Sequence, residues 1–461
     1  MAGELRSSDL PIVTHQLGRE PTTPFTVVAR CSGGHPLVIR NEPRDKRGRP
    51  FPTTYWVTCP ATVKAISRLE SEGWISRLND DPDMAERIER SHAAYAEERA
   101  RNLSEARGWG GVGGTRRGVK CLHAHYAWHV AGGDDPVGAW VAQRIEPVHR
   151  AQGRRIAAID QGTNSIRLLV AEPSDGGFTE LARDMVITRL GQDVDATGEL
   201  DAVTLERTIG VLDRFCRRAS ALGCERIRVA ATSAVRDASN ADEFAAAVRE
   251  RAGSELEVIG GEKEARLSYL GATSGLHASG GPFFVLDIGG GSTEFVVGRH
   301  PGVPEHAVST KLGSVRMTER FVRSDPPDPA ELDAIRAEVD RIIASEVEPT
   351  VPVKDARTLI AVAGTATTTQ AVTLGLEVHD PERIHRSWLT LTDAEGTLAR
   401  FASMTNAERA AIPVMPPGRG DVITAGAAIL ASLIRRFGFD RVVVSETDIL
   451  DGLVIELLTI E

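Results

Sequence analysis

The sequence predicts an α/β protein built from two related halves, preceded by a small α+β region. Three observations predict it. First, Asp287-Ile288-Gly289-Gly290-Gly291-Ser292-Thr293-Glu294 stands between apolar runs at 283–286 and 295–297, which reads as strand, tight glycine turn, strand. Second, the design recurs upstream: an apolar run at 156–159, then Asp160-Gln161-Gly162-Thr163-Asn164-Ser165, then another run at 166–170. Third, residues 1–150 differ in texture, holding most of the tryptophans and histidines.

A chain of 461 residues is too long for one core and suggests about three domains. We place them at 1–146, 156–281 and 282–461, with a short polar, basic linker at 147–155. Apolar (41%) and charged (26%) contents are ordinary for a globular protein. A net charge of -10 argues against general nucleic-acid binding, while a local basic patch could still hold a phosphate substrate. The five cysteines, Cys31, Cys59, Cys121, Cys216 and Cys224, are an odd, sparse set that predicts a reducing cytoplasm rather than a disulfide framework. The first residues lack the apolar core of a signal peptide. No apolar run is long enough for a membrane span.

In the N-terminal region, 26–31 and 36–40 read as strands joined by a Gly33-Gly34 turn, and 55–60 as a strand halted by Pro60. Val63, Ile66, Leu69 and Trp74 fall near one helical face. A charged helix follows at 84–107, a glycine-rich loop at 108–114, and a helix to about residue 145. Thiolates and imidazoles are the ligands of zinc or an iron–sulfur cluster. Cys31, Cys59 and Cys121, with His92, His123, His125 or His129, form the candidate set. The spacing contains no Cys-x-x-Cys pair, and the competing reading is buried small residues beside surface histidines.

In the first half, Asp160 would bind a metal, directly or through water. Gly162, Thr163, Asn164 and Ser165 would offer amides and hydroxyls to phosphate oxygens; an ordinary hairpin tip is the plain alternative. The strand at 227–231 runs into Thr232-Ser233-Ala234-Val235-Arg236, a favourable place for an anion, with Arg236 as a charged fork. Glu264 lies in the first turn of a helix starting near Gly261. Acids there usually only complement the helix dipole, but hydrolysis of a phosphoanhydride needs a base that orients and deprotonates water. Glu264 is the first choice and Glu262 the neighbouring alternative.

In the second half, Gly289, Gly290, Gly291, Ser292 and Thr293 repeat the phosphate-cradling pattern. Asp287 and Glu294 stand at its two ends, where a metal bound to the anion needs oxygen ligands. The strand at 358–363 passes into Gly364-Thr365 and a helix, a turn that suits a phosphate or nucleoside as readily as close packing. The repetition of strands and helices around an Asp-containing hairpin is the pattern of the duplicated ribonuclease-H-like fold of actin, sugar kinases and heat-shock ATPases.

Five motifs then carry a specific resemblance: Asp160-x-Gly-Thr-Asn-Ser-x-Arg-Leu-Leu, Ala231-Thr-Ser-Ala-x-Arg-Asp-Ala-x-Asn, Gly261-x-x-Glu-Ala-Arg-Leu, Asp287-Ile-Gly-Gly-Gly-Ser-Thr-Glu and Arg419-x-Asp421. In this order, over about 154–461, they resemble the exopolyphosphatase and guanosine-pentaphosphate phosphatase family. The resemblance implies Mg2+ (or Mn2+) among Asp160, Asp287 and Glu294, phosphates cradled by both glycine turns, substrate held by Arg236, Glu264 as catalytic acid, and a homodimer. The run Ser445-Glu446-Thr447-Asp448-Ile449-Leu450-Asp451-Gly452 is more acidic than the family's usual version. Residues 8–145, through Thr58-Cys59-Pro60, Val119-Lys120-Cys121-Leu122-His123 and related segments, resemble an uncharacterised bacterial family known only as a domain of unknown function.

The expected activity is magnesium-assisted removal of the terminal phosphate from inorganic polyphosphate. Guanosine pentaphosphate is the alternative substrate for the same residues. A non-catalytic sensor of phosphorylated nucleotides is the rival of another class, and the intact set Asp160, Glu264, Asp287 and Glu294 argues against it. A kinase is a further rival without an evident sugar-binding insert.

Overall fold

A computed structural model of the chain describes residues 9–145, 155–174 and 177–459, apart from Ser32, Lys46, Pro50, Pro52 and residues 102–109. The expected linker lies outside the described residues except for Arg155, as does the end of the charged helix. By contacts the chain falls into two compact units. The first is Met1–Ala157, Leu168–Asp184 and Leu212–Ile227; the second is Ala158–Arg167, Met185–Val211 and Arg228–Glu461. The N-terminal region therefore shares a unit with segments of the first predicted half.

In the first unit, strands β1 (Phe25–Arg30), β2 (Pro36–Asn41) and β3 (Tyr55–Val57) form an antiparallel sheet in that order. Arg30 is buried and forks onto Asp9 at 2.7 and 2.8 Å. Pro60 opens the helix Pro60–Ser71 at a position where its missing N–H costs no hydrogen bond. The single helix expected up to 145 is two, Leu122–Val130 and Pro136–Ala142. Gly132, Gly133 and Pro136 break it. A Cβ at Gly133 would stand 2.1 Å from the Trp128 ring, and Asp135 caps the second helix through Gly138 N–H at 2.6 Å. Trp128 packs on Tyr55 and Tyr95 with ring centroids 5.5 and 5.3 Å away. Within this unit the N-terminal region meets the helix Ala202–Ala221 through its C-terminal half. Arg217 Nε donates to the Gly132 carbonyl at 3.3 Å, and a Cβ at Gly132 would come within 2.8 Å of the Arg214 carbonyl. Arg218, fully buried, pairs with Asp184 at 2.9 Å.

Five strands, β4 (Ile156–Gln161), β5 (Ser165–Ser174), β6 (Gly177–Ile187), β7 (Arg226–Ala231) and β8 (Leu256–Val258), form a sheet of order β6-β5-β4-β7-β8. The second unit holds a sheet made from β9 (Phe283–Ile288), β10 (Thr293–Gly298), β11 (His306–Thr310), β12 (Thr358–Val362), β13 (Ser387–Thr390) and β14 (Arg441–Val444). Its order is β11-β10-β9-β12-β14-β13. Both sheets thus begin third, second, first, fourth; the first ends on its fifth strand, and the second on its sixth, β14, with its fifth, β13, at the edge. This repeated order is the duplicated ribonuclease-H-like topology. Phe284, Leu286 and Phe295 are buried with Ala427, Leu430 and Ile434 of the helix Ile423–Arg436. Each large apolar side chain so buried contributes about 1.5–3 kcal/mol, which anchors β9 and β10 and with them the turn they carry. Strand β13 and the helix Leu391–Ala402 have no counterpart in the sequence reading. Ser387-Trp388-Leu389-Thr390 is short and mixed, and it becomes a strand by pairing with β14.

Candidate active site

The two glycine turns close alike. Gly162 N–H donates to the Ser165 carbonyl at 2.9 Å, and Gly289 N–H to that of Ser292 at 3.0 Å. In both, two of the turn's carbonyls accept from backbone amides outside it. The Thr163 carbonyl accepts from Gly191 at 2.8 Å and that of Asn164 from Thr188 and Arg189 at 3.1 and 2.9 Å. The Gly289 carbonyl accepts from Ser314 at 3.0 Å and that of Gly290 from Val315 and Arg316 at 2.9 and 3.2 Å. Successive amides left over in such turns form an anion-binding nest. The turns also lie side by side within the second unit. A Cβ at Gly290 would come within 3.1 Å of Thr163 Cβ, and one at Gly291 within 2.6 Å of Thr163 Oγ1 and 2.7 Å of Ser233 Oγ. A side chain at 291 would collide with Thr163 and Ser233, and one at 290 would crowd Thr163, Val315 and the Asn164 amide.

Around the turns the fold gathers buried carboxylates. Asp287 and Glu294 are direct cross-strand partners on β9 and β10, so their side chains share a face. Asp287 accepts from the Ser268 hydroxyl, and Glu294 from Ser309 Oγ at 2.7 Å. Glu264, in the first turn of the helix Gly261–Thr273, pairs with Arg236 Nη1 at 2.9 Å. Arg236 also donates to the Ile259 carbonyl at 2.9 Å. Asp160, near the end of β4, takes the fork of Arg167 at 2.6 and 3.1 Å through Oδ2. Its Oδ1 is buried and unpartnered. Arg167 also holds Asp448.

Burial pushes Glu264 up to about 7 against the pull of Arg236, with Asp287 and Asp160 adding repulsion. Burial, then Asp448, pushes Asp287 up to about 7. Burial and then repulsion from Glu264 and Asp287 hold Glu294 well above the usual carboxylate range. Asp160 is raised too, by burial that outweighs Arg167. Negative charge is in excess here, and one acid oxygen lacks a donor. A set of hard carboxylate oxygens in that state fits a hard divalent cation such as magnesium.

Gly364 and Thr365 belong to the first turn of the helix Ala363–Thr373, rather than to a loop before it. Ala363 takes a φ of 66°, strained for a residue with a Cβ. A Cβ at Gly364 would lie 2.3 Å from the Arg419 guanidinium. Arg419 is buried and donates to the Gly364 carbonyl at 2.8 Å and Thr368 Oγ1 at 2.7 Å. Burial pulls it down to about 10. It forms no ion pair among the described residues, which suits an anionic ligand.

Of the residues singled out in the sequence, the structure brings together Asp160, Gly162–Ser165, Arg236, Glu264, Asp287 and Gly289–Glu294. The sequence reading assigned no role to Arg167, Arg419 or Asp448. Arg167 and Arg419 sit in the quoted motifs, and the unusual acidity of 445–452 was the available signal for Asp448. Arg316 was missed as well: it donates to the Gly291 carbonyl at 2.9 Å and pairs with Asp195 and, at 2.7 Å, Asp237.

The N-terminal cysteine and histidine set comes together only in part. Cys121 and His123 lie with Glu70, their ligand atoms all within 4.8 Å of one another. Cys31, Cys59 and His92 join no such group among the described residues. His92 instead accepts from Val112 N–H at 3.0 Å and donates to the Gly118 carbonyl at 2.9 Å. His125 donates to Asp135 at 2.7 Å. No helix among the described residues is long and apolar enough to cross a membrane.

Fold and site define an actin-like phosphatase. A family model described as the Ppx/GppA phosphatase family matches residues 169–461, and the chain belongs to that family. A second model, of a protein of unknown function (DUF501), matches residues 27–143. Exopolyphosphatase 2 of Mycobacterium tuberculosis is 41% identical over 319 residues, covering 66% of this chain and 98% of that protein. Among solved structures, an exopolyphosphatase-like protein matches with a TM-score of 0.63 at 38% identity over 66% of this chain and 97% of its own. The Aquifex aeolicus member of the Ppx/GppA family matches with a TM-score of 0.56 at 32% identity, over 66% and 98%.

Proposed function

We propose that the protein hydrolyses the terminal phosphoanhydride of inorganic polyphosphate. The observation that carries this reading is the position of Glu264: buried, held by Arg236, raised to about 7 and grouped with Asp160, Asp287 and Glu294. A carboxylate with that affinity for protons is matched to general-base work near neutrality. Glu264 takes a proton from water as the water oxygen attacks the terminal phosphorus. The bond to the bridging oxygen breaks, and the shortened chain leaves with that oxygen's charge. The amides and hydroxyls of 162–165 and 289–293 hold the phosphate oxygens. Arg236 keeps Glu264 in place and reaches the substrate with its remaining N–H groups. Gly364, Thr365 and Arg419 hold phosphates further along the chain. Asp160, Asp287 and Glu294 would hold Mg2+ (or Mn2+), which supplies charge neutralisation at the reacting phosphate. The exopolyphosphatase names of the relatives support the substrate class.

The test is phosphate release by full-length protein with magnesium, on long-chain polyphosphate and guanosine pentaphosphate side by side. Release from polyphosphate, reduced about 10²–10⁴-fold in Glu264→Gln with binding retained, is the expected outcome. Release from the nucleotide alone would move the chain to the second substrate. Near-parental turnover in Glu264→Gln would overturn the assignment of the base. Tight binding without release from either substrate would support a sensor.

A further inference from the structure

We propose that Glu70, Cys121 and His123 form a binding site for a divalent transition metal of the zinc type in the N-terminal region. The three residues supply oxygen, sulfur and nitrogen, the donors zinc takes. They sit on two elements fixed to each other. Glu70 is in the last turn of the helix Pro60–Ser71, Cys121 is the N-cap of Leu122–Val130, and His123 lies in that helix's first turn. Leu122 N–H donates to Glu70 Oε1 at 2.7 Å and locks the pair of helices in this register.

The spacing approaches that of a coordination shell. His123 Nδ1 stands 3.3 Å from Glu70 Oε1 and 4.0 Å from Cys121 Sγ. Tetrahedral zinc with ordinary Zn–N, Zn–O and Zn–S lengths needs ligand-to-ligand edges of about 3.3–3.6 Å; the His123–Glu70 edge has this length, and closure requires the thiol to move inward from within 4.8 Å of both. The imidazole is oriented for the task. His123 Nε2 lies 3.1 Å from the Val63 carbonyl, which can only accept, so Nε2 carries a proton and Nδ1 is the nitrogen that faces the acid and the thiol. Anchoring a ligand histidine by its other nitrogen to a backbone carbonyl is the usual outer-shell arrangement of metal sites. Glu70 and His123 are about one-quarter exposed, which leaves room for a water as fourth ligand. The thiolate makes the site selective for a softer metal than the carboxylate cluster around Asp287 would take. The inference is independent of the phosphatase reading.

The experiment titrates metal-stripped full-length protein with Co2+ as a spectroscopic stand-in for zinc. We expect a thiolate-to-cobalt charge-transfer band that saturates at one equivalent. It should vanish in Cys121→Ser, persist in Cys31→Ser and Cys59→Ser, and need at least about tenfold more metal in Glu70→Gln. A parallel measurement needs no variant: zinc should slow alkylation of Cys121 by iodoacetamide at least about tenfold in the wild-type chain. Absence of the band, its survival in Cys121→Ser, or equal alkylation with and without zinc would overturn the proposal. Magnesium at an all-oxygen site gives no thiolate band, so this test and the polyphosphate assay fail separately.

Discussion

In the first glycine hairpin Asp160 meets the fork of Arg167, and Arg167 also serves Asp448. In the second, Asp287 and Glu294 face each other across the ladder with serine hydroxyls as donors and no ion-pair partner among the described residues. The two turns share the glycine–serine closure, and in each two carbonyls accept backbone hydrogen bonds, one position earlier in the second turn than in the first. The difference lies in charge. The first hairpin carries its own counter-cation, and the second concentrates acid that a bound cation would have to balance. A duplicated loop can therefore keep its fold and still differ in charge: Arg167 offsets part of the acid beside the first turn, while Asp287 and Glu294 form no ion pair among the described residues.

The largest effect that would break this contrast is on stability. Arg167→Met should destabilise the metal-free protein by about 3–5 kcal/mol, because it strands two buried carboxylates without their cation. Urea unfolding of the variant checks it, and a loss below about 1 kcal/mol would show that Asp160 needs no balance. Next comes the close approach of the turns. Gly291→Ala should cost about 1–3 kcal/mol through crowding against Thr163 and Ser233. Gly162→Ala should cost less, since its Cβ would meet only the Ser165 carbonyl, at 3.2 Å. Equal losses would mean that the second turn is no more tightly enclosed than the first.

The smallest effect is the pH dependence. Glu264 and Asp287 titrate near 7 in the folded metal-free chain and near 4 when unfolded. The folded state then binds more protons between these values. The stability these groups contribute is present at acid pH and is lost as pH rises through about 7. Melting temperature should therefore fall from pH 6 to pH 8, less steeply in Asp287→Asn, and magnesium should flatten the slope by competing with protons. A slope unchanged by both Asp287→Asn and magnesium would remove the charge argument.

Much of the site was legible because it is local. Asp287 and Glu294 flank one turn, so period-two strands on either side place them together, and Glu264 follows from a strand ending just before a helix. Long-range pairings were not legible. Arg167 and Asp448 are 281 residues apart, and no pattern in either segment points to the other. The same limit explains the N-terminal set. Cys121 and His123 are joined by helix geometry, but Glu70 arrives from another helix, while Cys31, Cys59 and His92 looked equally eligible by residue type. Strand β13 was hidden because its extended form comes from pairing with β14 and not from an apolar run.

Gly132 has a consequence for how parts of the chain can be exchanged. Its carbonyl takes the Arg217 side chain, and its missing Cβ makes room for the Arg214 backbone. A chain whose first 145 residues were exchanged for others with a side chain at this position would have to displace the Arg214 carbonyl. The N-terminal region is thus tied to its unit by packing as well as by the peptide chain.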